Sequence, residues 1–177
     1  MSEEELISKC LKKDPGAQRE LYQRYAPAML GVCRRYVSDL PTAEDVLQDG
    51  FIRVYSKLSS FAGSGSLAGW IRKIIVNTTL EHIRRKKDLE LIENDSQISN
   101  LYDTDNSAVS KLTTDELLKY ILELPEGYRT IFNLYVIEGY SHKEISELLG
   151  ISEKTSQSQL TRARKTLQNN IQNIIER

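Results

Sequence analysis

Ser141-His142-Lys143-Glu144-Ile145-Ser146-Glu147-Leu148-Leu149-Gly150-Ile151-Ser152 holds two helix starts and one helix stop in a single short stretch. Ser141 and Glu144 have capping-box spacing: the hydroxyl takes an orphan N–H three residues on, and the carboxylate reaches back to the cap. Ile145, Leu148 and Leu149 then face inward on a short helix. Gly150 ends it, because glycine enters the left-handed conformation without a Cβ clash. Ser152 caps a second helix, whose Leu160, Ala163, Leu167, Ile171 and Ile174 recur three and four apart. Short helix, glycine turn and capped helix make the plan of a helix-turn-helix, in which the N-terminal half of the second helix enters the major groove of DNA. Outward residues there are Lys154, Thr155, Gln157, Ser158, Thr161 and Arg162, with Arg164 and Lys165 beyond them. Gln reads adenine bidentately, Ser and Thr reach bases or phosphates, and the basic side chains suit phosphates. A plain helical hairpin with a polar outer face has the same pattern, so the motif by itself leaves both readings open.

Upstream, the helical signals continue. Thr113-Thr114-Asp115-Glu116 is another capping box, Leu124-Pro125-Glu126-Gly127 is a break, and Ile131, Leu134, Tyr135 and Ile137 mark a helix ending near Gly139. Residues 88–110 differ in kind: six acidic side chains, no basic one, and apolar residues without period, which reads as a flexible acidic linker. Before it, Asp14-Pro15 starts a helix with Leu21, Tyr25, Leu30, Val32, Tyr36 and Val37 inward and Pro27 as a kink. Pro41–Asp45 opens a helix with the stripe Val46, Leu47, Phe51, Val54, Tyr55 and Leu58. The glycines and serines of Phe61–Ser66 require a loop. A long helix then runs from near Leu67 through Trp70, Ile71, Ile74, Ile75, Thr78 and Ile83 into Arg84-Arg85-Lys86-Lys87. No alternating pattern is long enough for a sheet. The expected fold is all-α: one helical domain over 1–87, a linker over 88–112 and a helix-turn-helix domain over 113–177.

Composition narrows the function. The 177 residues are 40% apolar and 28% charged, and no apolar run approaches the roughly 18 residues that span a bilayer. Met1-Ser2-Glu3-Glu4-Glu5 lacks the basic segment and apolar core of a signal peptide, so a cytoplasmic protein without membrane insertion is expected. Cys10 and Cys33 stand alone and suggest neither a zinc site nor a disulfide scaffold. The sequence has no nucleophile–base pair, phosphate-binding glycine loop or metal cluster, so neither enzymatic activity nor a cofactor is expected. The net charge of −1 is a cancellation. Residues 51–87 carry eight basic and one acidic side chain, beside the six acids of 88–110. A concentrated positive block is the footprint of a polyanionic partner.

One further stretch connects these features. Ala43-Glu44-Asp45-Val46-Leu47-Gln48-Asp49-Gly50-Phe51-Ile52-Arg53-Val54-Tyr55, followed by Phe61-x-Gly63 and Trp70, closely resembles the polymerase-binding and promoter-melting domain of extracytoplasmic-function (ECF) sigma factors of the sigma-70 family. Leu124-Pro125-Glu126-Gly127-Tyr128-Arg129, Glu138-Gly139-Tyr140-Ser141 and Glu144–Ser152 look like that family's other domain. The resemblance spans nearly the whole chain except the linker. It implies a factor that binds polymerase core, recognises minus-ten and minus-thirty-five elements and helps melt the duplex. Asp45, Gln48 and Asp49 share one face, opposite Val46, Leu47 and Phe51, and the resemblance makes that face the dock for the clamp helices of the largest polymerase subunit. Gly63, Ser64 and Ser66 match the loop that pockets a flipped non-template base, and such a base needs contacts that offset its lost stacking. Lys73, Asn77, Arg84 and Arg85 follow on the basic helix, Asn77 matching the base-reading position and the arginines suiting phosphates. Trp70 is expected in the core rather than as a stacking platform. The minus-thirty-five set is Ser152, Lys154, Thr155, Gln157, Ser158, Thr161, Arg162 and Arg164.

Two departures stand out. Glu81 occupies a position where the family often has Asp. The family's Thr-Val-basic-Ser-Arg-Leu is here Thr155-Ser156-Gln157-Ser158-Gln159-Leu160, which removes two positive charges and puts Ser156 where an apolar residue packs under the turn. His82 and His142 receive no role. A dimeric helix-turn-helix repressor leaves the Asp45/Gln48/Asp49 stripe unexplained, and a helical adaptor without DNA leaves the basic block unexplained. The free factor is expected to be a monomer, with an anti-sigma factor as the further partner the resemblance implies. Residues 88–110 are expected to fold back on 72–87 and screen them.

Overall fold

The computed structural model describes residues 1–85 and 113–175, and every regular element among them is helical. The linker expected over 88–112 lies outside the described residues, as do Lys86 and Lys87. The chain divides into two compact units, 1–87 and 88–177.

In the first unit, α1 (Glu3–Leu11) begins where Ser2 Oγ accepts the Glu5 N–H, and Glu3, Glu4 and Glu5 complement the positive end of the helix dipole. In α2 (Pro15–Tyr36), Asp14 caps by accepting the Ala17 N–H at 2.7 Å. Pro27, where a kink is expected, lies inside α2, and the helix continues on both sides of it. Pro27 is exposed, and with no N–H it has nothing to donate to the Gln23 carbonyl. The expected inward stripe of α2 needs correction: Ala26, Met29 and Cys33 are buried with Leu21, Val32 and Tyr36, whereas Tyr25, Leu30 and Val37 are half-buried. The cause is packing on several sides, because α1, α3 and α4 all contact this one helix.

Asp39 caps α3 (Leu40–Lys57), which buries Ala43, Val46, Leu47, Gly50, Phe51 and Val54 and ends in a 3₁₀ turn at Leu58–Ser60. Tyr55 is half-buried, and its hydroxyl donates to the Gln18 carbonyl at 2.8 Å, tying α3 to α2. Burial pushes that phenol up to about 12. α4 (Leu67–Arg85) closes the unit with Leu67, Ile71, Ile75, Val76, Leu80 and Ile83 inward; Ile74, expected there, is only half-buried. Thr78 and Thr79 are also buried, and each satisfies its hydroxyl on the carbonyl four residues back, at 2.8 Å. Each Leu, Ile or Phe buried in this way stabilises the fold by about 1.5–3 kcal/mol relative to exposure.

In the second unit, both halves of the Thr113/Glu116 capping box form at the start of α5 (Thr114–Glu123). Leu124-Pro125 then breaks the chain before α6 (Glu126–Phe132), and Arg129 bridges the break by donating to the Leu122 carbonyl at 2.9 Å. The last turn of this run, Asn133–Ile137, is π-helical: the Glu138 N–H reaches back five residues to Asn133. α7 (His142–Leu149) carries the complete Ser141/Glu144 box and stops at Gly150, whose φ is 69°. The long α8 (Glu153–Ile175) contacts α5, α6 and α7 and buries Leu160, Ala163, Leu167 and Ile171; Ala163 and Leu167 cluster with Leu124, and Tyr120, Tyr128 and Phe132 pack against them. Leu148 and Leu149 are half-buried rather than enclosed, and the Ile174 side chain lies outside the described residues.

Candidate functional site

The first candidate surface is the outer face of α3. Asp45, Gln48 and Asp49 are all exposed, while Val46, Leu47 and Phe51 on the opposite face are buried. Leu47 and Gln48 also border an open groove of about 630 Å³ against α2, floored by Tyr22, Ala26 and Pro27. Sequence reasoning passed over Ile52. It is 65% exposed and lies three, four and seven residues from Asp49, Gln48 and Asp45, so it extends the same stripe with an apolar side chain. That spacing was the available signal; the residue was lost among the apolar positions of the helix.

The second surface is the loop before α4 and the outer side of α4. Gly63 and Gly65 have φ of 71° and 89°, values that side-chain-bearing residues rarely adopt, so the turn itself demands glycine there. Ser64 is exposed. Ser66 Oγ accepts the Gly69 N–H at 3.1 Å, so this hydroxyl caps α4 in addition to any contact outside the chain. Lys73, Arg84 and Arg85 are exposed and Asn77 is half-buried. Trp70 is half-buried and packs beside Phe61 with ring centroids 5.5 Å apart. Glu81 reaches across the helix pair at the surface: its carboxylate meets Arg53 of α3 at 2.7 Å and Arg85 only at 4.0 Å. The Arg53 hydrogen bond, against a smaller desolvation cost, holds the Glu81 carboxyl below the usual range.

The third surface is the N-terminal half of α8. Lys154, Gln157, Thr161 and Arg164 are exposed, and Thr155, Ser158 and Arg162 are half-buried. Ser152 Oγ accepts the Thr155 N–H at 3.0 Å and lies 2.8 Å from the Thr155 hydroxyl, so these two residues build the helix cap. Ser158 and Thr161 donate to carbonyls of their own helix and offer only their oxygen lone pairs outward. The charge balance on this face also needs correction. Gln159 is 2% exposed, so of the two positions lacking a positive charge only Gln157 lies on the outer face. Arg164, expected at a phosphate, places its guanidinium 5.9 Å from the Tyr135 ring centre. Ser156, standing where an apolar residue is expected under the turn, is fully buried and lies 2.8 Å from His142 Nδ1.

A helix-turn-helix with a polar outer face, carried in one chain with a helical unit that has an acidic stripe and a basic helix, is the make-up of a DNA-binding transcription protein. Comparison with known proteins agrees. Residues 21–88 match the family described as Sigma-70 region 2, and residues 114–167 match Sigma-70, region 4. The ECF RNA polymerase sigma-E factor of Haemophilus influenzae is 28% identical over 99% of this chain and 98% of its own length. The ECF RNA polymerase sigma factor SigW of Bacillus subtilis is 28% identical over 95% and 96%. The sigma factor RpoE of Bartonella quintana, solved in complex with the anti-sigma factor NepR, superposes with a TM-score of 0.53 over 85% of this chain and 94% of that one, at 22% identity, a likeness of fold alone. The chain belongs to the sigma-70 family as an ECF-type factor and directs RNA polymerase to promoters. Among the described residues, no helix is long and apolar enough to cross a membrane.

Proposed function

We propose that the three surfaces divide the work of initiation. The α3 stripe of Asp45, Gln48 and Asp49, continued by Ile52, docks on the clamp helices of the largest polymerase subunit. Its polar rim and single apolar side chain suit a partner that is basic at the edge and apolar at the centre. The Gly63–Ser66 loop, with Lys73, Asn77, Arg84 and Arg85, takes the minus-ten element: the loop admits an extruded base and the cations hold phosphates. Ser152, Lys154, Thr155, Gln157, Ser158, Thr161, Arg162 and Arg164 face the minus-thirty-five element, where Gln157 is the exposed side chain able to pair two atoms of one base. The protein acts in the cytoplasm as a binding factor rather than an enzyme, is monomeric when free, and is held by an anti-sigma factor, a kind of partner seen on the Bartonella relative of similar fold.

One observation carries the docking assignment. Asp45, Gln48 and Asp49 are exposed together on a helix whose other side is locked into the core, so the face is rigid and available. The test is co-purification of the full chain with polymerase core. Asp45→Ala combined with Gln48→Ala is expected to abolish it and to leave the helical circular-dichroism signal unchanged. Retention of the doubly substituted chain on core would remove the assignment. Tight dimeric binding of duplex promoter DNA without polymerase would replace it with a repressor.

A further inference from the structure

The second helix of the helix-turn-helix contains a polar contact where an apolar one is the ordinary choice. Ser156 lies in the first turn of α8 and is 0% exposed, four and seven residues before the buried Leu160 and Ala163 of the same helix. A hydroxyl taken out of water costs free energy unless it is paired. Its partner is His142 Nδ1, at 2.8 Å, on the first residue of α7.

His142 is itself held in place. The Ser141/Glu144 capping box fixes the backbone on which it begins. Its ring stacks on Tyr135 of the π-helical turn, with centroids 4.4 Å apart and planes 21° from parallel. Arg164, two turns along α8 from Ser156, sits over the same Tyr135 ring. The contacts thus run from α8 to the π-helical turn, to α7, and back to α8 beside its exposed Gln157. Burial, reinforced by the Arg164 charge and opposed by Glu153, pulls His142 below the usual imidazole range, so the ring is neutral near pH 7. A neutral ring has one protonated and one accepting nitrogen, and a hydroxyl can pair with either.

We infer that His142 and Ser156 are positioning residues for minus-thirty-five recognition: their hydrogen bond fixes the rotation and depth of the α8 N-terminus, and with it the base edge that Gln157 meets. The inference rests on the reading of α8 as the recognition helix. Its physical basis is directionality. An apolar contact under the turn tolerates sliding, whereas a hydrogen bond weakens steeply with distance and angle. Bidentate readout by the neighbouring Gln157 requires that precision, because both of its bonds must align with one base.

The experiment uses holoenzyme reconstituted with the full-length chain. Wild-type holoenzyme first selects its preferred minus-thirty-five sequence from a randomised promoter library. Run-off transcription then measures preference for that sequence over its single-base variants. Ser156→Ala and His142→Phe, the second of which keeps the stack and removes Nδ1, are each expected to reduce discrimination about tenfold, the scale of one good bidentate contact. The double variant should be no worse than either single one. His142→Asn, which places an amide where Nδ1 stood, should restore most of the discrimination despite losing the ring stack. A lowered melting temperature with discrimination intact would reduce the pair to a structural contact and overturn the inference, as would additive losses in the double variant. Gln157→Ala separates the two levels. If it leaves discrimination untouched, the recognition-helix reading fails and this inference falls with it. If it flattens discrimination while Ser156→Ala does not, the positioning role alone is wrong.

Discussion

At Gly50 the helices of the first unit come so close that one methyl group matters. A Cβ added there would lie 2.4 Å from Ile75 Cδ1 and 3.8 Å from the Ile75 Cα, and Ile75 is fully buried. Glycine in the interior of α3 gives up about 1 kcal/mol of helix propensity relative to alanine. Overpacking a tight core costs about 1–3 kcal/mol. The second effect is the larger, so Gly50→Ala is expected to lower the unfolding midpoint. Gly31 makes the contrast: it sits inside α2 with nothing within 4 Å of the position its Cβ would take. Gly31→Ala is therefore expected to raise stability by up to about 1 kcal/mol. Urea unfolding of the two variants checks both signs, and an equal gain in both would mean that Ile75 swings aside at no cost.

Between helices, legibility followed how local the governing interaction is. Asp14, Thr113 with Glu116, Ser141 with Glu144, and Gly150 act within one turn, so the caps they form were readable from spacing alone. The exposed stripe of α3 was readable for a related reason: Asp45, Gln48 and Asp49 alternate with Val46, Leu47 and Phe51 on a helix with one buried side. α2 was misread because three helices contact it, and a single-stripe rule cannot choose between Tyr25 and Ala26. The π-helical turn at Asn133–Ile137 adds a residue to a turn, closed by the Glu138 N–H on the Asn133 carbonyl, and no periodicity encodes it. The position of Ser156 under the turn was legible, but its partner was not, because His142 is brought to it from the preceding helix. The Arg53–Glu81 bridge between α3 and α4 was equally hidden, and it yields a pH prediction. Glu81 has a lowered pKa in the folded chain, so its contribution is complete above the ordinary value of 4.5 and is lost as pH falls through the lowered one. With side chains 31% and 44% exposed, solvent screening keeps the pair below about 1 kcal/mol. Glu81→Gln is thus expected to lower the melting midpoint by about 2–4 °C at pH 7, and by progressively less as pH falls from 4.5 through the lowered value and protonates wild-type Glu81. A gap that keeps the same size as pH falls would show that the substitution acts through packing rather than charge.

Over the whole molecule the telling quantity is the distribution of charge, which the net value of −1 conceals. Arg84 and Arg85 are exposed at the end of α4, on the surface assigned to the minus-ten element. Asp88, Glu90, Glu93, Asp95, Asp103 and Asp105 follow within the next stretch of chain, without one intervening base after Lys87. Charges tethered this closely compete with nucleic-acid phosphates for the same cations whenever they come within a Debye length, about 10 Å at 0.1 M salt. A factor that binds DNA poorly until polymerase engages it gains specificity from such competition, because nonspecific binding is almost wholly electrostatic. Replacing the six acids with Asn and Gln is therefore expected to raise the affinity of the free chain for a single-stranded non-template oligonucleotide several-fold at about 0.05 M salt. The gain should shrink toward nothing at about 0.4 M, where both the screening and the attraction it opposes are weak. Fluorescence anisotropy at the two salt concentrations reads the difference directly. Unchanged affinity at low salt would mean that the acidic stretch does not reach the basic helix, and a gain that persists at high salt would point to a contact other than charge.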